Sequence, residues 1–221
     1  MSSFVLKIIA VIAMLFDHAG YVLFKQFSFM NCIGRLAFPI FAFQLTEGYS
    51  HTRNLGKYFF RLFIFAIISQ VPYMLYLSSF NATLHLNIFF TLILGLIAIT
   101  IYEKLDNKYW GLLLVTLCAI IAQYFYFDYG WFGIAAIFIF HIFKDKKWLM
   151  NLSFILSAFV YYFYKYIISS NLVYLFIIFF CCLSLIPINL YDGKKGKDTK
   201  YLLYIFYPLH LIILYLLSFV F

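Results

Sequence analysis

The chain has 221 residues, of which 66% are hydrophobic and 11% charged. Soluble domains are roughly half apolar and about a quarter charged, so this composition excludes a water-soluble globular fold. The net charge of +8 is spread over short loops between apolar runs, with no basic arm interleaved with aromatics; this excludes nucleic acid as a partner and fits cytoplasmic membrane loops.

A bilayer span takes about 20 mostly apolar residues. Runs of that kind give about nine candidate spans, near 4–24, 31–50, 58–77, 86–102, 110–127, 131–143, 149–168, 171–190 and 201–221. The expected fold is all-α, a polytopic membrane helix bundle. No repeat or long linker divides it, so 1–221 reads as one domain.

In the first span, Lys7 and the apolar run after it mimic a signal peptide, but Asp17 and His18 interrupt the run. It reads as a retained helix. Neighbours on a helix point about 100° apart, so Asp17 and His18 each need a partner from another helix. Arg35 opens the second span at the same membrane face and is the natural partner of Asp17. Such a pair either fixes packing or serves a site.

At the other end of the second span, Glu47 and His51 sit at i and i+4, with Gln44 a turn earlier. A carboxylate that orients an imidazole is a general-base arrangement. Arg53, Lys57 and Arg61 follow at that face. They read either as a phosphate-binding group for a coenzyme A thioester or as a loop against lipid headgroups.

Asn87 and Thr91 share a face of the fourth span, placed to hydrogen-bond a ligand or to tie two helices together. Asp128 is the acid of the tight turn Asp128-Tyr129-Gly130 and a second candidate for substrate contact. His210 lies near the middle of the last span, two residues after Pro208. A proline there removes a helix hydrogen bond, and an intramembrane histidine beside it marks a candidate cavity. His85 and His141 read as interfacial and structural.

Loop charge orients the bundle. One side receives Lys7, Arg53, Lys57, Lys104, Lys108, Lys144, Lys146, Lys147, Lys194, Lys195, Lys197 and Lys200; the other receives little beyond Lys25 and Lys165. This predicts a protein of the cytoplasmic membrane with its amino terminus in the cytoplasm and its carboxy terminus outside. Cys32, Cys118, Cys181 and Cys182 lack metal-ligand or disulfide-framework spacing. No metal is expected.

Five stretches resemble the TraX family of membrane proteins, whose namesake acetylates pilin: LFDHAG at 15–20, the long block IGRLAFPIFAFQLTEGYSHTRNLGKYFFRLFIFAIISQVPY at 33–73, NIFFTLILGL at 87–96, DYGWFGI at 128–134 and FYPLHLIILY at 206–215. The resemblance implies a multi-helix acyltransferase with acetyl-CoA as donor and an amine as acceptor, on a peptide, a protein or another envelope component. Its polar motif positions fall on Asp17, His18, Arg35, Glu47, His51, Arg53, Asn87, Asp128 and His210.

The mechanism expected is direct acyl transfer, with His18 or His210 as base and Arg35, Asn87 or backbone amides at the oxyanion. A proton-coupled transporter using the same residues as a relay, and a non-catalytic assembly factor, are the alternatives.

Overall fold

The computed structural model describes residues 1–24, 28–80, 82, 85–197 and 201–220, with the backbone alone at 202 and 203. Lys25 and Lys200 lie outside the described residues. The architecture is all-α. Among the described residues there is no strand, only an isolated bridge between Leu86 and Phe127.

The helices are α1 (Ser3–Phe24), α2 (Phe29–Gly34), α3 (Ala37–His51), α4 (Leu55–Ser78), α5 (Ile88–Lys104), α6 (Lys108–Tyr124), α7 (Gly130–Ile142), α8 (Lys147–Ser169), α9 (Val173–Leu183), α10 (Leu185–Asn189) and α11 (Leu202–Leu217). Helix is the form that satisfies every backbone group of an apolar run without water. Ser3–Phe24, Phe29–His51, Leu55–Ser78 and Lys147–Ser169 are long and apolar enough to cross a bilayer, and four shorter apolar helices accompany them.

Asparagines mark three of the starts. Asn54, Asn87 and Asn107 cap α4, α5 and α6, each accepting a backbone N–H of the first turn at 2.9–3.0 Å. The second expected span is two helices, α2 and α3, and Arg35 sits at the break between them rather than opening one helix. The eighth is likewise α9 and α10, joined at Ser184.

Successive rods run back and forth. The amino terminus and the segments 52–54, 105–107, 143–146 and 190–197 gather at one end, here the amino-terminal end. The described residues 79–80, 82 and 85–87 and the segments 125–129 and 170–172 meet at the far end. One core runs from Leu6 on α1 to Leu214 on α11. Exposed Phe, Ile and Leu side chains cover α4, α6 and α8, as expected of surfaces that face lipid.

Two local fits set the candidate site. α1 crosses α2 at Gly20 and Gly34. A β-carbon on Gly34 would collide with Asp17, and one on Gly20 would lie 2.8 Å from Ser28 Oγ. Small residues allow this approach. At the amino-terminal end, Ser3 and Phe4 N–H donate to the Lys194 and Lys195 carbonyls at 2.8 and 3.2 Å, which satisfies free donors of the first turn of α1. The Met1 ammonium donates to the Leu190 carbonyl at 2.7 Å and lies 3.4 Å from the Asp192 carboxylate.

Candidate functional site

The far end holds a cavity of about 410 Å³ whose walls include Asp17, His18, Arg35, Tyr73, Asp128 and Tyr207. Asp17 and Arg35 form a direct ion pair. Asn31 braces it, donating to the Asp17 carbonyl at 2.6 Å and to its carboxylate at 3.2 Å. Arg35 Nε donates to the Asn31 carbonyl at 3.2 Å. The pair therefore fixes α1, α2 and α3 together while Arg35 still faces the cavity.

The histidines of α1 and α11 meet. His18 Nδ1 and His210 Nε2 are 2.7 Å apart, and His210 Nδ1 is 2.8 Å from the Phe206 carbonyl one turn earlier. A carbonyl only accepts, so His210 carries its proton on Nδ1. Its Nε2 is then a lone pair, and His18 must donate from Nδ1. This leaves the lone pair of neutral His18 on Nε2. His18 lines the cavity and His210 stands behind it, outside the wall. The Tyr76 hydroxyl donates to the His18 carbonyl at 3.0 Å, and its ring lies edge-on 5.1 Å from the imidazole. The chain of contacts fixes the tautomer and ring position of His18.

Asp128 is held by its backbone. Its N–H donates to the Leu86 carbonyl at 3.0 Å, and its own carbonyl accepts the Thr91 hydroxyl at 2.6 Å. Tyr129 follows in the left-handed region at φ 63°, uncommon for a non-glycine residue. Its ring stacks on Phe38 with centroids 3.9 Å apart, which compensates the backbone cost. Gly130 continues at φ 49°. This turn presents both Asp128 and Tyr129 to the cavity instead of leaving the acid in solvent.

The amino-terminal end holds a second cavity, of about 460 Å³, with Lys7, Gln44, Glu47, Arg61, Tyr191 and Lys195 among its walls. The Arg61 guanidinium lies over Tyr58 and Tyr204, 5.2 and 5.3 Å from their centroids. Among the described residues its buried Nε has no hydrogen-bond partner and its charge has no ion pair. Burial and then the Glu47 carboxylate push the Tyr191 phenol up to about 12, so it keeps its proton.

Phe41 belongs to both cavities. Ala37 faces the far one and Gln44 the other, about two turns or ~11 Å along α3. Phe89 of the amino-terminal cavity meets Tyr207 of the far one edge-on at 5.3 Å. Phe41, Phe89 and Tyr207 thus stand between the two spaces.

The expected site residues thus separate. Asp17, His18, Arg35 and Asp128 share the far cavity, with His210 behind it. Glu47, His51 and Arg61 line the other. His51 differs from the expected base: its Nδ1 donates to the Glu47 backbone carbonyl at 2.9 Å, the carboxylate is 4.0 Å away, and its side chain is 71% exposed. Arg53 and Lys57 are exposed and line neither cavity.

Asn87 is saturated, with Nδ2 donating to the Ala66 carbonyl and to Gln70 Oε1, each at 2.8 Å, while its Oδ1 caps α5. With Thr91 holding the Asp128 carbonyl, both tie structure together instead of lining the cavity. Tyr73, Tyr76, Tyr129, Tyr207 and Lys165 also stand at the far end, and sequence did not mark them as site residues. The DYG turn placed Tyr129 beside Asp128, and the FYPLH stretch placed Tyr207 close to His210, both residues already singled out.

The model of a family described as TraX protein matches residues 2–218. A protein of Dichelobacter nodosus named probable fimbrial assembly protein FimC, serogroup H1, is 28% identical over 238 aligned residues, covering 96% of this chain and 94% of its own. An uncharacterized protein of Rickettsia prowazekii (strain Madrid E), RP591, is 36% identical over 90 residues, 41% of this chain and 33% of its own. No solved structure matches.

Proposed function

The chain belongs to the TraX family, and from that premise we propose that it is a membrane-embedded acyltransferase that moves an acyl group, acetyl in the simplest case, from a coenzyme A thioester to an amine. The observation that carries this reading is the His18–His210–Phe206 hydrogen-bond chain. It leaves an unprotonated His18 nitrogen at the cavity, backed by a second cavity whose half-buried Arg61 has no ion pair among the described residues.

The donor's phosphates bind at the amino-terminal cavity, against Arg61 with Lys7 and Lys195 on the same wall. The thioester arm passes Phe41 toward the far cavity. The acceptor nitrogen attacks the thioester carbon, and His18 Nε2 takes its proton. Arg35 and the Tyr207 hydroxyl, both on that wall, stabilise the tetrahedral oxyanion. Collapse breaks the carbon–sulfur bond, and the thiolate receives the proton from His18. The products are an N-acyl amine and free coenzyme A, with no covalent enzyme intermediate.

The lysine-rich loops support a cytoplasmic amino-terminal end in the plasma membrane, and on this reading the acceptor is met at the outer face. The name of the Dichelobacter relative concerns fimbrial assembly, so a pilin-like peptide amine is the acceptor to try first. That name also favours a second reading, a non-catalytic assembly factor.

Purified protein with acetyl-CoA and a short peptide should release thiol only when both are present, and the peptide should gain the mass of one acetyl group. Thiol release that is absent, or that survives in His18→Ala, supports the second reading instead.

A further inference from the structure

The far cavity has a side lobe. A space of about 290 Å³ shares Tyr21, Arg35, Asp128 and Tyr129 with it and is closed by α8 and the start of α9. Lys165 of α8 reaches into this lobe. Its ammonium lies 4.4 Å from the Tyr161 ring centroid and 6.0 Å from that of Tyr162, and both rings are buried. A lysine near a helix end that snorkels to the lipid interface would point away from the core; this one lines the bundle interior.

Its charge is not matched by an ion pair. Asp128 acts on it across the lobe, but among the described residues Lys165 has no carboxylate within 4.0 Å. Arg35, on the wall shared with the far cavity, is paired with Asp17. A partly buried cation that rests on aromatic faces alone lacks the anionic partner that such charges ordinarily have. Asn171 adds a donor: its Oδ1 accepts the Val173 N–H at 3.0 Å, which leaves its amide N–H groups for the lobe.

The charges are also ordered. Asp128 stands on the wall shared with His18, where the acyl-transfer reading puts the acceptor amine, and Lys165 stands beyond it.

We propose that the side lobe is a second subsite for the acceptor, in which Lys165 binds a carboxylate carried a few bonds from the amine that is acylated. This rests on the acyl-transfer reading of the adjoining cavity. It narrows the acceptor to an amine followed by an acidic group, held in one direction by the Asp128-to-Lys165 order.

The test is equilibrium binding of short, carboxy-amidated peptides with a free amino terminus to the full chain in nanodiscs, without any acyl donor. Each pair differs in Asp against Asn at position two, three or four. A charge-assisted contact predicts that the Asp member binds about tenfold tighter at one of these positions. Lys165→Arg should keep the preference and Lys165→Met should bring the ratio to about one, with monodisperse size-exclusion profiles for both.

Equal binding of the two members to the wild type, or a preference that survives in Lys165→Met, overturns the proposal. So does a preference that vanishes when phosphatidylglycerol is added to the nanodiscs, which would assign Lys165 to a lipid headgroup. Preference without thiol release from acetyl-CoA keeps the subsite and removes the chemistry; thiol release without preference does the reverse.

Discussion

Replacing His210 by leucine removes the acceptor of the His18 Nδ1 proton and leaves the packing volume largely filled. The hydrogen bond that this abolishes is 2.7 Å long and sits behind the cavity wall. Leaving a buried donor unpaired costs roughly 1–3 kcal/mol, and His18 loses the bias that keeps its Nε2 free of a proton. At about 1.4 kcal/mol per tenfold, kcat should fall between several-fold and about a hundredfold.

His210 lines neither cavity, so KM for acetyl-CoA should stay near the wild-type value. His18→Ala should lose the whole base contribution, about 10²–10⁴-fold. His210→Gln offers an amide oxygen to His18 and an N–H to the Phe206 carbonyl, and should recover most of what leucine loses. The assay is steady-state thiol release in nanodiscs. A leucine variant with wild-type kcat, a change confined to KM, or a glutamine variant no better than leucine would refute the tautomer argument.

Arg61→Met should raise KM for the donor about tenfold or more, with a shallower salt dependence, while Lys57→Met and Arg53→Gln change it little; the three KM values decide between the half-buried arginine of the cavity and the exposed pair. Phe41→Trp adds bulk to the partition and should abolish transfer while donor binding, read by calorimetry, persists. Gly34→Ala forces a β-carbon against Asp17 and should destabilise the chain by roughly 1–3 kcal/mol, seen as a lower midpoint of thermal unfolding in detergent.

The last prediction concerns pH. The Lys194 backbone N–H, and after it the amino terminus, hold the Asp192 carboxyl below the usual carboxylate range. A lowered folded-state value means that the clamp on α1 is present above the unfolded value and is lost as pH falls through the folded one. Exchange of the Ser3 and Phe4 amides, corrected for intrinsic rates, should therefore accelerate only at acidic pH, and at every pH in Asp192→Asn.

The helices were legible because apolar runs of bilayer length have one good solution in lipid, and the separation of ionisable residues into two end groups followed from counting those runs. Asp17 with Arg35 was also legible, since two opposite charges at one depth leave few other choices. The breaks at Arg35–Leu36 and Ser184 were not, because an apolar segment reads the same with or without an interruption of one or two residues.

The roles of the histidines depended on contacts 192 residues apart in sequence and on a backbone carbonyl, neither of which leaves a pattern in the chain. Glu47 and His51 misled for the opposite reason: the i, i+4 spacing is right, but at a helix end the imidazole bonds the nearer carbonyl. Lys165 looked like an outer loop charge because sequence depth does not say which way a side chain faces.

The most direct test of the two-cavity account is transfer across a sealed membrane. Chains reconstituted in one orientation, with a peptide amine inside the vesicle and acetyl-CoA outside at the amino-terminal face, should acetylate the enclosed peptide. His18→Ala vesicles should not. Acetylation only when donor and acceptor share a compartment would contradict the account, because the cavities at opposite ends would then not serve one reaction.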